Sequence, residues 1–393
     1  MAVLSIKEAY SSEQQKHTKH ESTRILSLDV MRGITIAGMI LVNNPGSWNY
    51  VYAPLRHAEW NGLTPTDLVF PFFMFIMGVS SFFSLKKFDF KPTLSCVTKI
   101  LKRTLIIFTI GMGLAWIGLM AEGIASEKNF IDTVFNFNQI RILGVLPRLA
   151  LAYGIAALIS VAIKPKILSI VILCLLAIYS IILILGNGYE FSQDNIIVVA
   201  DCMVLGENHM YGDYVGGTYM KFDPEGLLGT IPSVAHVLIG FLAGNMIFRA
   251  TDNRQKSLDL LILGACLTFA GFLLSYGLPI NKKIWSPTFV LTTCGLASLL
   301  FGLLTYIIDV RKISKLSMFF EVFGTNPLAL YVMATLLEIT LGYTMQEPIM
   351  ETILSPLCGG NMYLASLLYA LLFVGLTWLI GLPLFKNKIY IKI

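Results

Sequence analysis

Charge is what this chain has least of. Only 13% of its 393 residues are Asp, Glu, Lys or Arg, against 55% hydrophobic, and the mean hydropathy is +0.71. A water-soluble domain carries about 25% charged residues. So few charges cannot wet a whole surface, and most of it must face lipid. The net charge of +5 is no sign of a nucleic-acid partner, because membrane proteins collect Lys and Arg in cytoplasmic loops. The six cysteines show no CxxC and no metal-ligand spacing, so no metal site is expected and most read as small core residues. Cys202 and Cys358 fall in connecting segments, and a disulfide between them stays open. The first 25 residues lack an apolar stretch, so no cleavable signal peptide is expected, and neither end carries a lipidation motif. The inverted repeats of many transporter folds are not visible.

What the chain does have is apolar runs of membrane-crossing length. Ten are expected, over Leu26–Val42, Pro65–Leu85, Ile100–Met120, Ile142–Ile163, Ile167–Leu185, Gly226–Phe248, Leu258–Leu278, Phe289–Ile308, Phe319–Leu341 and Met362–Phe385. The ninth is interrupted by Glu321, Asn326, Pro327 and Glu338. The fold class is therefore an all-α, polytopic bundle of about ten transmembrane helices. Residues 1–25 form a polar cytoplasmic tail, and 26–393 form one transmembrane domain. Placing both termini in the cytoplasm puts most of the 29 Lys and Arg residues inside, among them Lys86, Lys99, Lys102, Arg103, Arg254 and Arg311. Few stay outside, namely Arg56, Lys128, Lys221, Lys282 and Lys283, with Arg141 at a helix end. That bias sets an N-in, C-in orientation. The long connection at 186–225 carries seven acids and one Lys; its aromatic and Gly content argues against simple disorder, and it is expected to cap the outer face.

The densest polar stretch beside a helix is Arg56-His57-Ala58-Glu59-Trp60-Asn61-Gly62-Leu63-Thr64-Pro65-Thr66-Asp67, between the first two spans. Pro65 with Thr64 before it marks a helix start. Asp67 then reads either as a first-turn acid on the helix dipole or as the group that holds the His57 imidazole. A neutral imidazole suits acyl transfer to an amine, because it can take the proton of the attacking nitrogen or accept the acyl group itself.

This stretch, with Asp67-Leu68-Val69-Phe70-Pro71 and Phe75-Ile76-Met77-Gly78, closely resembles the heparan-α-glucosaminide N-acetyltransferase family. So do Leu28-Asp29-Val30-Met31-Arg32-Gly33 and Val42-Asn43 upstream. Downstream, Arg141-Ile142-Leu143-Gly144-Val145-Leu146-Pro147-Arg148-Leu149, Asp223-Pro224-Glu225-Gly226-Leu227-Leu228-Gly229-Thr230-Ile231 and Asn281-Lys282-Lys283-Ile284-Trp285-Ser286 continue it in the same order, as does Asn326. The resemblance implies a membrane acyltransferase that moves acetyl from cytosolic acetyl-CoA to the amine of a glucosamine-type sugar on the far side. It implies His57 as the catalytic residue and Asn43 as its active-site companion. The chain lacks the amino-terminal luminal region of the animal enzyme, which points to a bacterial cytoplasmic-membrane protein acting on free glucosamine or a cell-wall amino sugar.

On this reading His57 is base or acyl acceptor, Asp67 its orienting partner, and Asn43 a donor to the tetrahedral oxyanion. Trp60, Asn61 and Glu225 are the candidates for the sugar, Glu225 reading equally as a helix-start acid. Arg32, Lys99, Lys102 and Arg103 are the candidates for the donor's phosphates at the inner mouth of a tunnel spanning the bundle, and Arg148, inside the fourth span, is a further candidate for a donor phosphate. Arg148 reads more readily as a structural partner of Asp29 or Glu321, and Arg32 as an i,i+3 partner of Asp29. His236, in mid-span, is expected to hydrogen-bond a neighbouring helix. The partners are thus the bilayer, acetyl-CoA and a small amino sugar, with a homodimer left open. Two other functions stay open: a sugar or amino-sugar transporter, which needs neither a thioester nor His57, and an envelope O-acyltransferase, in which the same residues could serve a hydroxyl acceptor.

Overall fold

A computed structural model describes residues 25–126, 133–315, 317–342 and 345–391. The tail at 1–24, with Lys7, Lys16, Lys19 and Arg24, lies outside the described residues, as do Lys128 and Lys392. In chain order the helices are α1 (Leu26–Asn43), α2 (Val69–Lys86), α3 (Leu94–Ala125), α4 (Val145–Ala162), α5 (Pro165–Leu185), α6 (Ile196–Leu205), α7 (Thr230–Arg249), α8 (Asn253–Leu274), α9 (Pro287–Leu304), α10 (Ser317–Thr325), α11 (Pro327–Gly342) and α12 (Met362–Lys386). Among the described residues nine helices are long and apolar enough to cross a membrane; α10 and α11 together make a tenth if counted as one broken span. The all-α polytopic architecture is therefore as expected.

Burial sorts the apolar residues by face. On α5, Leu168, Ile172, Leu176, Tyr179 and Leu183 are buried, while Ile170, Leu173, Ile181 and Ile184 are exposed. Both sets are apolar, so the outer one suits hydrocarbon rather than water. Inside the bundle, helices meet where side chains are small, the usual way to bring membrane helices close. A Cβ on Gly78 of α2 would lie 2.2 Å from the Val237 carbonyl oxygen of α7, and one on Gly240 of α7 would lie 2.2 Å from the Phe75 carbonyl oxygen of α2. Gly78→Leu is therefore expected to wedge this crossing open. Overpacking costs about 1–3 kcal/mol, which a lowered melting temperature of the detergent-solubilised protein would report; an unchanged value would mean the helices can part freely.

Two expectations need correction. The ninth apolar run is not one helix: α10 and α11 meet at 85°. Pro327 has no N–H to continue the ladder, and it disfavours helical backbone at Asn326. Asn326 is put to use at the break, where its side chain donates to the Ile389 carbonyl (2.8 Å) and accepts from the Ile391 N–H (2.8 Å). The third span also runs further than its apolar stretch, to 32 residues, because Thr93 caps it early through the Cys96 N–H. That places Lys99, Lys102 and Arg103 within the helix.

The 186–225 connection is folded. Asn195 caps α6 through the Ile197 N–H, and Gly212–Val215 pairs with Thr218–Lys221 as an antiparallel hairpin, β1 and β2. Gly216 and Gly217 take φ of 56° and 81° at its tip, the paired left-handed conformation a two-residue hairpin turn needs. Ile197, Val198, Met220 and Phe222 pack with Tyr179, Leu183 and Ile284, Trp60 lying against them. The connection thus covers the end of the bundle where the α1–α2 and α8–α9 loops emerge.

Candidate active site

Asp67 is the centre of this end. It sits in the 3-10 turn Pro65–Leu68 that leads into α2, with Thr64 as cap, and its side chain is 1% exposed. Its two oxygens have separate tasks. Oδ2 accepts from the Thr64 N–H (3.0 Å), the Thr64 hydroxyl (2.9 Å) and the Ala58 N–H (3.2 Å). Oδ1 lies 2.6 Å from His57 Nδ1. The two readings of Asp67 are therefore both true of the geometry: one oxygen starts the helix, the other holds the imidazole. An ionised carboxylate only accepts, so Nδ1 carries the ring proton and the Nε2 lone pair is left for a reactant.

A third group, Lys282, joins them from the α8–α9 loop. Its Nζ is 2.9 Å from His57 Nδ1, 3.2 Å from Nε2 and 3.6 Å from Asp67 Oδ1. The loop is set by Asn281, which accepts from the Ile284 N–H (3.2 Å) and receives the Ser286 N–H at its carbonyl (3.0 Å). Two links tie it to the His57 loop: Asn281 Nδ2 donates to Asn61 Oδ1 (3.2 Å), and the Gly62 N–H to the Ile280 carbonyl (2.8 Å). Lys282 escapes a sequence reading because it is one of two adjacent lysines in a loop remote along the chain. Their scarcity in that set of loops was the available signal. Lys283 turns away and pairs with Asp213 at 2.6 Å.

A buried ion cluster lies beside Lys282. Arg141 binds Asp223 with two bonds (2.6 and 2.9 Å) and Glu225 Oε2 with a third (2.5 Å), under the Tyr211 ring. Two-pronged pairing of this kind fixes orientation as well as charge. Burial pushes the Glu225 carboxyl up, but Arg141, Arg148 and Lys282 together hold it below its ordinary value. Burial pulls Lys282 below an ordinary lysine, against the pull of Asp67 and Glu225. Among the described residues the second Glu225 oxygen has no hydrogen-bond partner in the protein, so it is the one available to a ligand. Arg141 and Asp223, which hold Glu225 in place, were not singled out as site residues by their sequence positions.

The other expected site residues are spread more widely. Asn43 ends α1, half-buried, and among the described residues no hydrogen bond joins it to His57. Trp60 donates its indole N–H to the Tyr189 carbonyl (2.8 Å) and packs on Phe191 and Phe222. Asn61 accepts from Asn281 through its side-chain oxygen, so the Trp60 indole N–H and the Asn61 amide oxygen both link loops. Arg148 is at the start of α4, at the same end as His57. Its NH1 and NH2 donate to the carbonyls of Pro224 and Gly226 (2.9 and 2.8 Å), and its guanidinium lies over Trp285. Those carbonyls stand where a pairing with Asp29 or Glu321 was expected. Arg148 holds the turn that delivers Glu225 and delays the start of α7 to Thr230. Arg32, in the second turn of α1, binds Asp29 (3.1 Å), the Gly324 carbonyl (3.2 Å) and Ser80 (2.9 Å). Arg103 lies over the Tyr153 ring, and Lys102 is exposed on α3. His236 is fully buried against the Trp285 ring and beside the backbone of Pro71 on the neighbouring α2. Cys202 and Cys358 are unpaired. Between α1, α2, α4 and α11 lies a narrow apolar cavity of about 10 Å3, lined by Ile36, Met39, Phe70, Leu149, Leu328 and Tyr331 among others. That is room for about one water.

Asp201, in α6, gives the cap a pH dependence. One of its oxygens accepts the Leu227 N–H (2.7 Å), and the other is buried without a partner. Burial, reinforced by Asp223, pushes its carboxyl from 3.8 up to about 7. An acid bound more tightly to its proton when folded stabilises fully below its unfolded value of 3.8, and that contribution is lost as pH rises through about 7. Asp201→Asn is therefore expected to raise the melting temperature at pH 8 and leave it nearly unchanged at pH 4. Equal shifts at both values would show that Asp201 does not titrate there.

Residues 24–276 match the family model described as "Heparan-alpha-glucosaminide N-acetyltransferase, catalytic". The chain is 27% identical over 386 residues to the mouse heparan-alpha-glucosaminide N-acetyltransferase, an alignment covering 84% of this chain and 56% of the mouse protein. With the human protein of the same name it shares 28% over 365 residues, covering 79% and 52%. It thus spans about half the length of the curated relatives it matches. His57, Asp67 and Glu225 fall within the matched region, and Lys282 lies just beyond it. The family model takes in well over half of the sequence, and the chain belongs to the heparan-alpha-glucosaminide N-acetyltransferase catalytic family.

Proposed function

We propose that this protein is an integral membrane acetyltransferase that moves acetyl from acetyl-CoA to the amine of a glucosamine-type sugar, with the chemistry at His57. The observation that carries the reading is the Asp67–His57–Lys282 arrangement. Nδ1–H is committed to a buried carboxylate, which leaves Nε2 as a base or acyl acceptor. The Lys282 ammonium, or the Asn43 amide brought in by substrate, supplies positive charge for the oxygen of the tetrahedral intermediate. Glu225, with one oxygen held by Arg141 and the other available, takes the sugar's ammonium or hydroxyls.

The proposed orientation keeps both termini in the cytosol and His57 on the opposite side. Acetyl-CoA is made in the cytosol, so the fitting membrane is the one that bounds it, in a bacterium the cytoplasmic membrane. The donor's thioester then approaches through the apolar seam between α1, α2, α4 and α11. Since the cavity there holds about one water, those helices must separate to admit a pantetheine arm, and the break between α10 and α11 gives a place to yield. Arg32, Lys102 and Arg103, on the two helices that run from the other end, are the cations proposed for the donor's phosphates.

The test is direct. Purified protein, acetyl-CoA carrying labelled acetyl, and glucosamine should yield labelled N-acetylglucosamine, and N-acetylglucosamine offered as acceptor should yield nothing. Acetylation of the blocked sugar would turn the reading to a hydroxyl acceptor. Sugar flux across vesicles with no thioester consumed would turn it to transport.

A further inference from the structure

The position of Lys282 over His57 has a chemical meaning beyond charge. Its Nζ is within about 3 Å of both ring nitrogens (2.9 and 3.2 Å), whose in-plane lone pairs diverge. A point that close to both would collide with a ring carbon if it lay in the ring plane, so the amine lies over the face of the imidazole. The in-plane direction at Nδ1 is filled by Asp67 Oδ1, and the in-plane direction at Nε2 stays clear. An acetyl group on Nε2 is conjugated with the ring and therefore coplanar with it. Its carbonyl carbon is attacked from above or below that plane, and one of those two sides is where Nζ stands.

We propose that Lys282 is itself an acetyl acceptor, taking the acetyl group from His57 when no sugar amine occupies the site. The inference rests on the proposed acetyl transfer, with His57 as acyl acceptor. In the first step the Nε2–carbon bond forms, the carbon–sulfur bond of acetyl-CoA breaks, and CoA leaves as thiolate. The Asp67 carboxylate faces the positive charge this places on the ring. In the second step the Nζ lone pair attacks the acetyl carbon, the Nε2–carbon bond breaks, and the proton lost by Nζ passes through Nε2 to the thiolate. Acetyl-CoA and a lysine amine become N-acetyl-lysine and CoA thiol.

Two further features support it. Nζ must be neutral to attack, and burial draws Lys282 below an ordinary lysine. Lys283, next in sequence, is ion-paired with Asp213 at 2.6 Å, which makes it a built-in reference. An acetylated Lys282 loses its charge and fills the space the sugar's amine needs. Incubation with donor alone should therefore slow later turnover.

The experiment incubates the full-length protein in nanodiscs with labelled acetyl-CoA and no sugar, then maps acetylated peptides by mass spectrometry. The same preparation is assayed with glucosamine. The expected result is acetyl on Lys282 and not on Lys283, suppressed by glucosamine and absent from His57→Ala and His57→Gln proteins that still melt cooperatively. Lys282→Arg should carry no label. N-acetylglucosamine formation with an unlabelled Lys282 would overturn this proposal and leave the proposed function standing. Equal labelling of Lys282 with and without His57 would overturn it too, as simple chemical acetylation. No acetyl on either sugar or lysine would remove the proposed function and this inference together.

Discussion

Alanine in place of His57 is expected to lower kcat for acetyl transfer by about 10²–10⁴-fold, the range a positioned acid–base group contributes, and by more if the imidazole carries the acetyl. The site should otherwise survive. Asp67 Oδ2 keeps its three donors from Ala58 and Thr64, and Lys282, at 3.6 Å from Oδ1, remains to face the buried carboxylate. KM for glucosamine should move little, because Glu225 and Arg141 come from different segments. The check is steady-state kinetics on His57→Ala beside its melting curve. A kcat within a few fold of the parent, in a protein that melts normally, would remove His57 from the chemistry.

The second large effect is expected at Asp67→Asn, on the order of 10⁴ in kcat by analogy with the matching change in a serine-protease triad. The geometry says why so small a change should matter. Three donors converge on Oδ2, so an asparagine must turn its carbonyl oxygen to them and its NH2 toward the imidazole. Nδ1 then has to accept, the ring proton moves to Nε2, and the lone pair that takes the proton or acetyl disappears. Thr64→Ala separates this from mere loss of the helix cap. It removes one donor to Oδ2, costs about 0.5–2 kcal/mol of stability, and leaves Oδ1 on the imidazole, so kcat should stay near the parent value. Equal losses of activity in the two variants would mean that Asp67 serves only to start α2.

The local reading went far at this site because helix starts are local. Thr64-Pro65-Thr66-Asp67 is a start signal, and His57 is ten residues from Asp67, near enough for one loop to bring them together. Trp60 and Asn61 sit in the same loop and show the limit of that reading. An indole N–H and an amide beside a catalytic histidine look equally suited to a sugar. Only the arrival of Tyr189 and Asn281 shows that the indole N–H and the amide oxygen are engaged in holding loops together.

Composition and hydropathy by themselves determined the all-α membrane architecture, the order of its spans, and the weakness at Asn326 and Pro327. These follow from the exclusion of unpaired backbone from lipid and from what proline does to the residues around it. Tertiary structure alone decided the rest. On an all-apolar helix such as α5, hydropathy cannot tell the packed face from the lipid face, since both are equally greasy. The same holds for charges far apart along the chain. Lys282 meets His57 across 225 positions, and Arg148 finds the carbonyls of Pro224 and Gly226 rather than an acid. A buried cation must satisfy its donors with whatever the packed helices bring near, and the one-dimensional order of residues does not contain that.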